Sequence, residues 1–218
     1  MFTAADDIAN GIPVVRAPYP EGEDGYQLSI NTICKKIREG CCTAVMKSYA
    51  GNLMKQNGFP KGALAQGTVA LNHIRENVMY APDALGTEQI QSAAVTLCVE
   101  GAPVCIPIED CDGLACALGT VLAALGHEVE VVRQFFGDGH QQHVMIEVKD
   151  ENGGWIPLDP SSSTMPAGRK AHAVKELRAS PFDDDVVGVS GAQFVGIGSL
   201  PVYIWRKEKW QKAGVGML

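Results

Sequence analysis

Cys111, His143 and Asp159 are of the residue types that together perform nucleophilic chemistry on an acyl group. Cys111 stands just before an apolar run in which Leu114, Ala115, Leu118, Val121, Leu122 and Leu125 recur at helical spacing. The cysteine falls on the same face one turn earlier, so the pattern predicts a buried helix with Cys111 in its first turn. Free N–H groups and the positive end of the helix dipole favour a thiolate over a thiol at that place. Asp110 is positioned to cap the turn by accepting a backbone N–H.

A nucleophilic thiol needs a base, and the base needs a group that orients it. Gly126 stops the helix, Glu128 to Phe135 reads as a strand, and Gly137-Asp138-Gly139 reads as a turn. Alternation from His143 to Val148 puts His143, Met145 and Glu147 on one strand face and Val144, Ile146 and Val148 on the other. Residues Asp150 to Gly154 predict a hairpin turn, with Trp155 to Asp159 returning as a strand and Trp155 expected in the core beneath the sheet. A turn about Glu151 sets His143 opposite Asp159, whereas one centred on Asn152-Gly153 displaces the pairing by a few residues. In both registers imidazole and carboxylate meet, because cross-strand Cβ atoms lie roughly 4.5–5.5 Å apart. Glu109, Asp110 and Asp112 crowd Cys111 with negative charge, which raises a thiol pKa, while the helix end and a protonated His143 lower it. A Cys111–His143 ion pair is the expected outcome if His143 stands within hydrogen-bond range of the thiol. His140 lies in the same loop, but only His143 opens the alternating run, which leaves His140 as a cleft residue.

These segments resemble the transglutaminase-like superfamily of papain-like cysteine enzymes. The superfamily reads Gly-Asp-Cys-(Asp)-x-x-Ala before a helix, His-Val-x-x-Glu-Val on a strand and Gly-Trp-x-x-Leu-Asp-Pro on the next. Here the matching runs are Asp110-Cys111-Asp112, His143 to Val148 and Gly154 to Pro160. Glu109 stands where glycine is usual, and Gly113 where a second acidic residue is frequent. The resemblance implies Cys111 as nucleophile, His143 as general base and acid, and Asp159 as the residue that holds His143. It implies an α+β fold with a papain-like core, helices packed on an antiparallel β-sheet, and it implies no cofactor and no metal. The segment Glu88 to Leu97 is similar to one in short phage and prophage members, and in papain-like enzymes a side-chain donor joins the cysteine N–H to hold the oxyanion. Gln91 is the candidate for that donor and Gln89 the second choice, unless both are ordinary loop residues.

The elements that must position these residues occupy a chain of 218 residues, enough for one sizeable core. With 46% hydrophobic and 20% charged residues the composition is that of a globular protein, and no stretch reaches the roughly 18–20 apolar residues of a membrane span. No basic-then-apolar segment opens the sequence, so the expected location is the cytoplasm, or the virion if the chain is phage-encoded. A formal charge of −7 argues against a nucleic-acid surface. Seven cysteines, with Cys41 and Cys42 adjacent, do not read as a secreted disulfide framework. Cys34, Cys98, Cys105 and Cys116 are expected to be small buried apolar residues in a reducing compartment, and the spacing of Cys98, Cys105, Cys111 and Cys116 lacks the paired clips of a zinc site.

Residues 1–62 read as an arm, extended as far as Gly25, followed by a helical region that breaks at Gly40. Residues 63–165 read as the catalytic core, opening with a helix from Ala63 to about Met79, and residues 166–218 as an extension completing the same domain. His73 and His172 read as surface or satisfied core histidines. In the tail, Val186 to Val189 and Leu200 to Trp205 read as strands or a contact surface, and Gly196-Ile197-Gly198 is too short for a phosphate loop. The expected activity is cysteine-dependent acyl transfer or hydrolysis on the amide bonds of a protein or peptide. The alternative is a silent structural or assembly protein, with phage structural proteins as partners.

Overall fold

The computed structural model describes residues 7–9, 12–18, 22–82, 89–102, 104–137, 141–183, 201–206 and 209–215. Two strands, β1 (Asp7–Ala9) and β2 (Ile12–Pro18), precede the helices α1 (Gly22–Cys41), α2 (Ala44–Gln56) and α3 (Ala63–Asn77). There follow β3 (Met79–Tyr80), β4 (Gln89–Ile90), α4 (Ala93–Thr96), β5 (Ile108–Glu109) and α5 (Cys111–Ala124). Four strands come next, β6 (Val129–Phe136), β7 (Gln141–Lys149), β8 (Trp155–Leu158) and β9 (Lys175–Ala179), and then β10 (Pro201–Arg206) and β11 (Lys209–Val215). The architecture is α+β, with helices packed on an antiparallel sheet of strand order β8-β7-β6-β9. A second antiparallel sheet has the order β1-β2-β11-β10-β4, and β3 pairs with β5 in parallel.

The run after Cys111 is the centre of the molecule. Residues 112–122 of α5 are all buried, so the helix is enclosed on every side rather than on one stripe. Ile30, Ile33 and Ile37 of α1 and Val144, Ile146 and Val148 of β7 close over it. At Gly119 a Cβ would meet Ile37 and Ile146, so only glycine lets helix and sheet come this close. Gly40 belongs to the same close packing, since a Cβ there would fall 2.9 Å from Thr120 Cγ2. That is why α1 runs through Gly40, where the sequence reading put a break. The turn comes at Cys42 and Thr43, whose hydroxyl caps α2 by accepting the Met46 N–H at 3.2 Å.

Other expectations need correction. Helix α1 starts at Gly22, inside the acidic stretch read as loop, because acidic residues also suit a first helical turn. The β7–β8 hairpin closes about Asn152, with Asp150 Oδ1 accepting the Asn152 and Gly154 N–H groups at 2.8 and 2.7 Å and Gly153 at φ +86°. Ile146 therefore pairs with Leu158 and Lys149 with Trp155, two residues out of step with a direct His143–Asp159 pairing. Trp155 is half-buried on the edge strand, its ring 5.5 Å from the Lys149 ammonium, not beneath the sheet. Cys98 and Cys105 are exposed and joined in a disulfide, not buried thiols. The loop turns at Cys98, whose φ is +50°, and the Ile106 N–H bonded to Val95 O brings its ends together. Cys34 and Cys116 are fully buried as expected, and burial pushes both thiols up to about 12.

No helix among the described residues is long and apolar enough to cross a membrane. Of the tail, residues 201–205 of the Leu200 to Trp205 stretch fall in β10, whereas Leu200 itself, Val186 to Val189 and Gly196-Ile197-Gly198 lie outside the described residues.

Candidate active site

Cys111 is the first residue of α5. Its turn is fixed by Asp110, whose Oδ1 accepts the Asp112 and Gly113 N–H groups at 2.9 and 3.3 Å. The approach to the turn is held by β3, through Met79 N–H to Pro107 O at 2.8 Å and Ala81 N–H to Glu109 O at 3.0 Å. Glu109 is buried, and its Oε1 accepts from the Gln91 N–H at 3.3 Å and the Thr96 hydroxyl at 3.2 Å. Beneath it Lys36 is pushed down to about 8 by burial, an effect that Cys116, Glu39 and Glu109 partly offset.

The Cys111 thiol donates to Asp112 Oδ1 at 3.3 Å, and the sulfur lies beside the Val144 N–H. Burial pushes the thiol well above its ordinary range. The charges of Asp112 and Asp110 push it further, and the Val144 N–H opposes them. The thiol's hydrogen bond in this arrangement is to a carboxylate. Asp112 is 2% exposed and Arg133 7%, and the two form a buried ion pair at 2.8 Å through Oδ2 and Nη2. Ser29 bridges them, donating to Asp112 Oδ2 at 2.7 Å and accepting from Arg133 Nη2 at 2.6 Å. The other guanidinium nitrogen donates to Gln142 Oε1 at 2.9 Å, and the Tyr26 ring lies 5.8 Å from the guanidinium carbon.

His143 stands near the start of β7, one residue before the N–H that lies beside the sulfur. Its Nε2 lies 2.9 Å from Asp159 Oδ2 and 3.3 Å from the Ser161 hydroxyl. With Nε2 turned to the carboxylate, Nδ1 is the ring atom left for a second partner. Asp159 Oδ1 accepts the Ser161 hydroxyl at 2.9 Å and the Ser161 and Ser162 N–H groups at 3.1 and 3.3 Å. Burial alone would raise the Asp159 carboxyl, but His143 and Ser161 together bring it below its ordinary value. Arg75 Nη2 donates to Asp159 O and to Met165 O, both at 2.7 Å, and so ties the end of the hairpin to α3. At the rim stands Tyr80, 51% exposed; burial raises its hydroxyl first, and the charges of Cys111, Asp110, Asp112 and Asp159 add to that.

The sequence-predicted residues thus divide. His143 and Asp159 are in contact, and Cys111 lies against the backbone beside His143. Gln91 is buried next to β5, with Nε2 donating to Ile108 O at 3.1 Å and Oε1 without a hydrogen-bond partner among the described residues. The side chain of Gln89 and all of His140 lie outside the described residues. His73 is satisfied by the Tyr49 hydroxyl at 2.6 Å, and His172 is exposed. Cys98 and Cys105 are bonded to each other, so those sulfurs join no zinc site. Sequence reasoning passed over Arg133, Ser29, Arg75, Ser161 and Tyr80. One signal was available, the charge of Arg133 within the apolar run from Val129 to Phe136.

No family model and no curated protein matches the chain. Among solved structures it is similar to a proposed cysteine protease from Cytophaga hutchinsonii, at 13% identity and TM-score 0.41 over 81% of this chain. It is also similar to a TGase, at 13% identity and TM-score 0.37 over 70% of this chain. The chain spans 62% of the length of the first and 36% of the second.

Proposed function

We propose that the chain is a cysteine-dependent enzyme that cleaves amide bonds of proteins or peptides through a thioester, with Cys111, His143 and Asp159 as its catalytic residues. The single observation carrying this reading is the 2.9 Å contact of His143 Nε2 with Asp159, in a strand whose next N–H lies beside the sulfur of a cysteine in the first turn of a helix. Asp159 fixes the imidazole with Nδ1 as acceptor. The thiol proton passes to Nδ1 as sulfur attacks the carbonyl carbon. The imidazolium then protonates the leaving nitrogen as the C–N bond breaks. Water attacks the thioester, His143 takes its proton, and the C–S bond breaks to give the acid. The Cys111 N–H lies in the first turn, outside the helix's own hydrogen bonding, and is available to the oxyanion. Gln91 is proposed as the second donor, through the amide proton not given to Ile108.

Water is the favoured acceptor, because a cross-linker must exclude it and this site opens on a half-exposed Tyr80. The experiment is a screen of peptide amides with trapping of the Cys111 acyl adduct by mass spectrometry. Turnover should vanish in Cys111→Ala and fall about 10²–10⁴-fold in His143→Ala. No adduct and no turnover across the screen would remove the reading. A second reading, a silent structural or assembly protein, is favoured by the contact of the thiol with the Asp112 carboxylate.

A further inference from the structure

Asp112 divides its carboxylate between two tasks. Oδ1 accepts the Cys111 S–H at 3.3 Å, while Oδ2 is gripped by Ser29 at 2.7 Å and Arg133 at 2.8 Å. The grip comes from two other elements, α1 and β6, and β7 holds the far end of the guanidinium through Gln142. A carboxylate fixed on one oxygen keeps the other aimed at the thiol. An anionic acceptor stabilises S–H and opposes S⁻. Arg133 keeps that buried carboxylate ionised and partly offsets its charge.

We propose that Asp112, aimed by Arg133, is a positioning residue that keeps Cys111 protonated at rest, so that the site carries a latent nucleophile and not a preformed ion pair. The inference deepens the reading of Cys111 as nucleophile and rests on it. Among the described residues, the other groups coupled to the thiol's charge are Asp110, the residue before α5, and Tyr80 on β3, while Arg133 on β6 with Tyr26 of α1 over it faces Asp112, Glu109 on β5 lies against Gly113, and His143 on β7 is paired with Asp159 after β8. Activation is a proton transfer alone: the S–H bond breaks, the proton goes to His143 Nδ1, and sulfur keeps the electron pair.

The test is the rate of Cys111 alkylation by iodoacetamide against pH, followed by peptide mass mapping. Asp112→Asn should move the midpoint down by at least about one pH unit, which makes labelling at neutral pH about tenfold faster. Arg133→Gln, which leaves the buried Asp112 carboxylate unaimed and free to take up a proton, should also move it down, and Arg133→Lys should restore it. A purely structural role would lower the melting temperature and leave the midpoint in place, and that result overturns the proposal. If Asp112→Asn does not fold, the double variant Asp112→Asn/Arg133→Gln removes both charges. A midpoint below wild type then supports the proposal, and an unchanged one overturns it. The wild type gives an independent readout, a hydrogen-bonded S–H Raman band at neutral pH that disappears in Cys111→Ser; its absence overturns the proposal. Alkylation needs no turnover, so a shifted midpoint without amide cleavage fails the enzyme reading alone, and cleavage with an unshifted midpoint fails this inference alone.

Discussion

Glu109 and Gly113 share one space, two positions to either side of Cys111. The Glu109 carboxylate lies where the Cβ of any larger residue at 113 would fall. It cannot swing aside without releasing the Gln91 N–H and the Thr96 hydroxyl. The two residues are therefore coupled: a buried acid before the cysteine requires the absence of a side chain after it.

Gly113→Ala should destabilise the protein by about 1–3 kcal/mol through overpacking, although helix propensity alone would favour alanine by about 1 kcal/mol. Glu109→Ala in the same chain should recover most of that loss. Urea unfolding of the two single variants and the double variant measures the coupling, and simple additivity would contradict the shared space.

Arg75 spans two backbone carbonyls that no other described side chain holds together. Arg75→Ala should cost about 1.5–3 kcal/mol, the range for hydrogen bonds to charged groups, and should loosen the segment after β8. Amide hydrogen exchange is the check, with faster exchange expected for residues 159–165. Unchanged exchange there would show that the segment is held by other means.

Stability should fall on the acid side. Burial opposes ionisation of Glu176, but Lys170, Gln134 and Arg178 prevail and bring its carboxyl down from 4.5 to about 2. A carboxylate depressed on folding stabilises the protein above its unfolded pKa, and that contribution fades as pH drops from about 4.5 towards 2. Asp159 acts in the same direction, being lowered by His143 and Ser161 against its burial. The urea midpoint should decline through this window, and Glu176→Gln should flatten the decline. An identical slope in the variant would exclude Glu176 as a source.

Titration of the denatured, unreduced protein should find five free thiols among seven cysteines. Closing the short 98–105 loop is worth at most about 2.5 kcal/mol by chain entropy, so Cys98→Ser/Cys105→Ser should lower stability by no more than that. Seven titrating thiols under oxidising conditions would contradict the pairing.

Much of this was legible because periodicity and turn chemistry are local. The α5 stripe, the Gly126 stop at φ +91°, the alternation of β7 and the Asp110 cap follow from neighbours within a few residues. What stayed hidden depends on contacts distant in sequence. Ser29 reaches Asp112 across 83 residues and Arg75 reaches Asp159 across 84, and neither has a local signature. The hairpin register was ambiguous because Glu151 and Asn152-Gly153 are both turn formers; Asp150 decided it by bonding forward to two N–H groups. Gly40 misled because glycine serves close packing as well as helix ends.

The five-stranded sheet bears on how the protein comes into being during translation. Strand β4, whose next residue is Gln91, pairs with β10, and β2 pairs with β11. The ribosome delivers β4 long before its partner. The helices and the four-stranded sheet with Cys111, His143 and Asp159 can assemble while the tail is still in the exit tunnel. The flank beside Gln91 must wait for β10 and β11, so a nascent chain completes it after the helices and the four-stranded sheet.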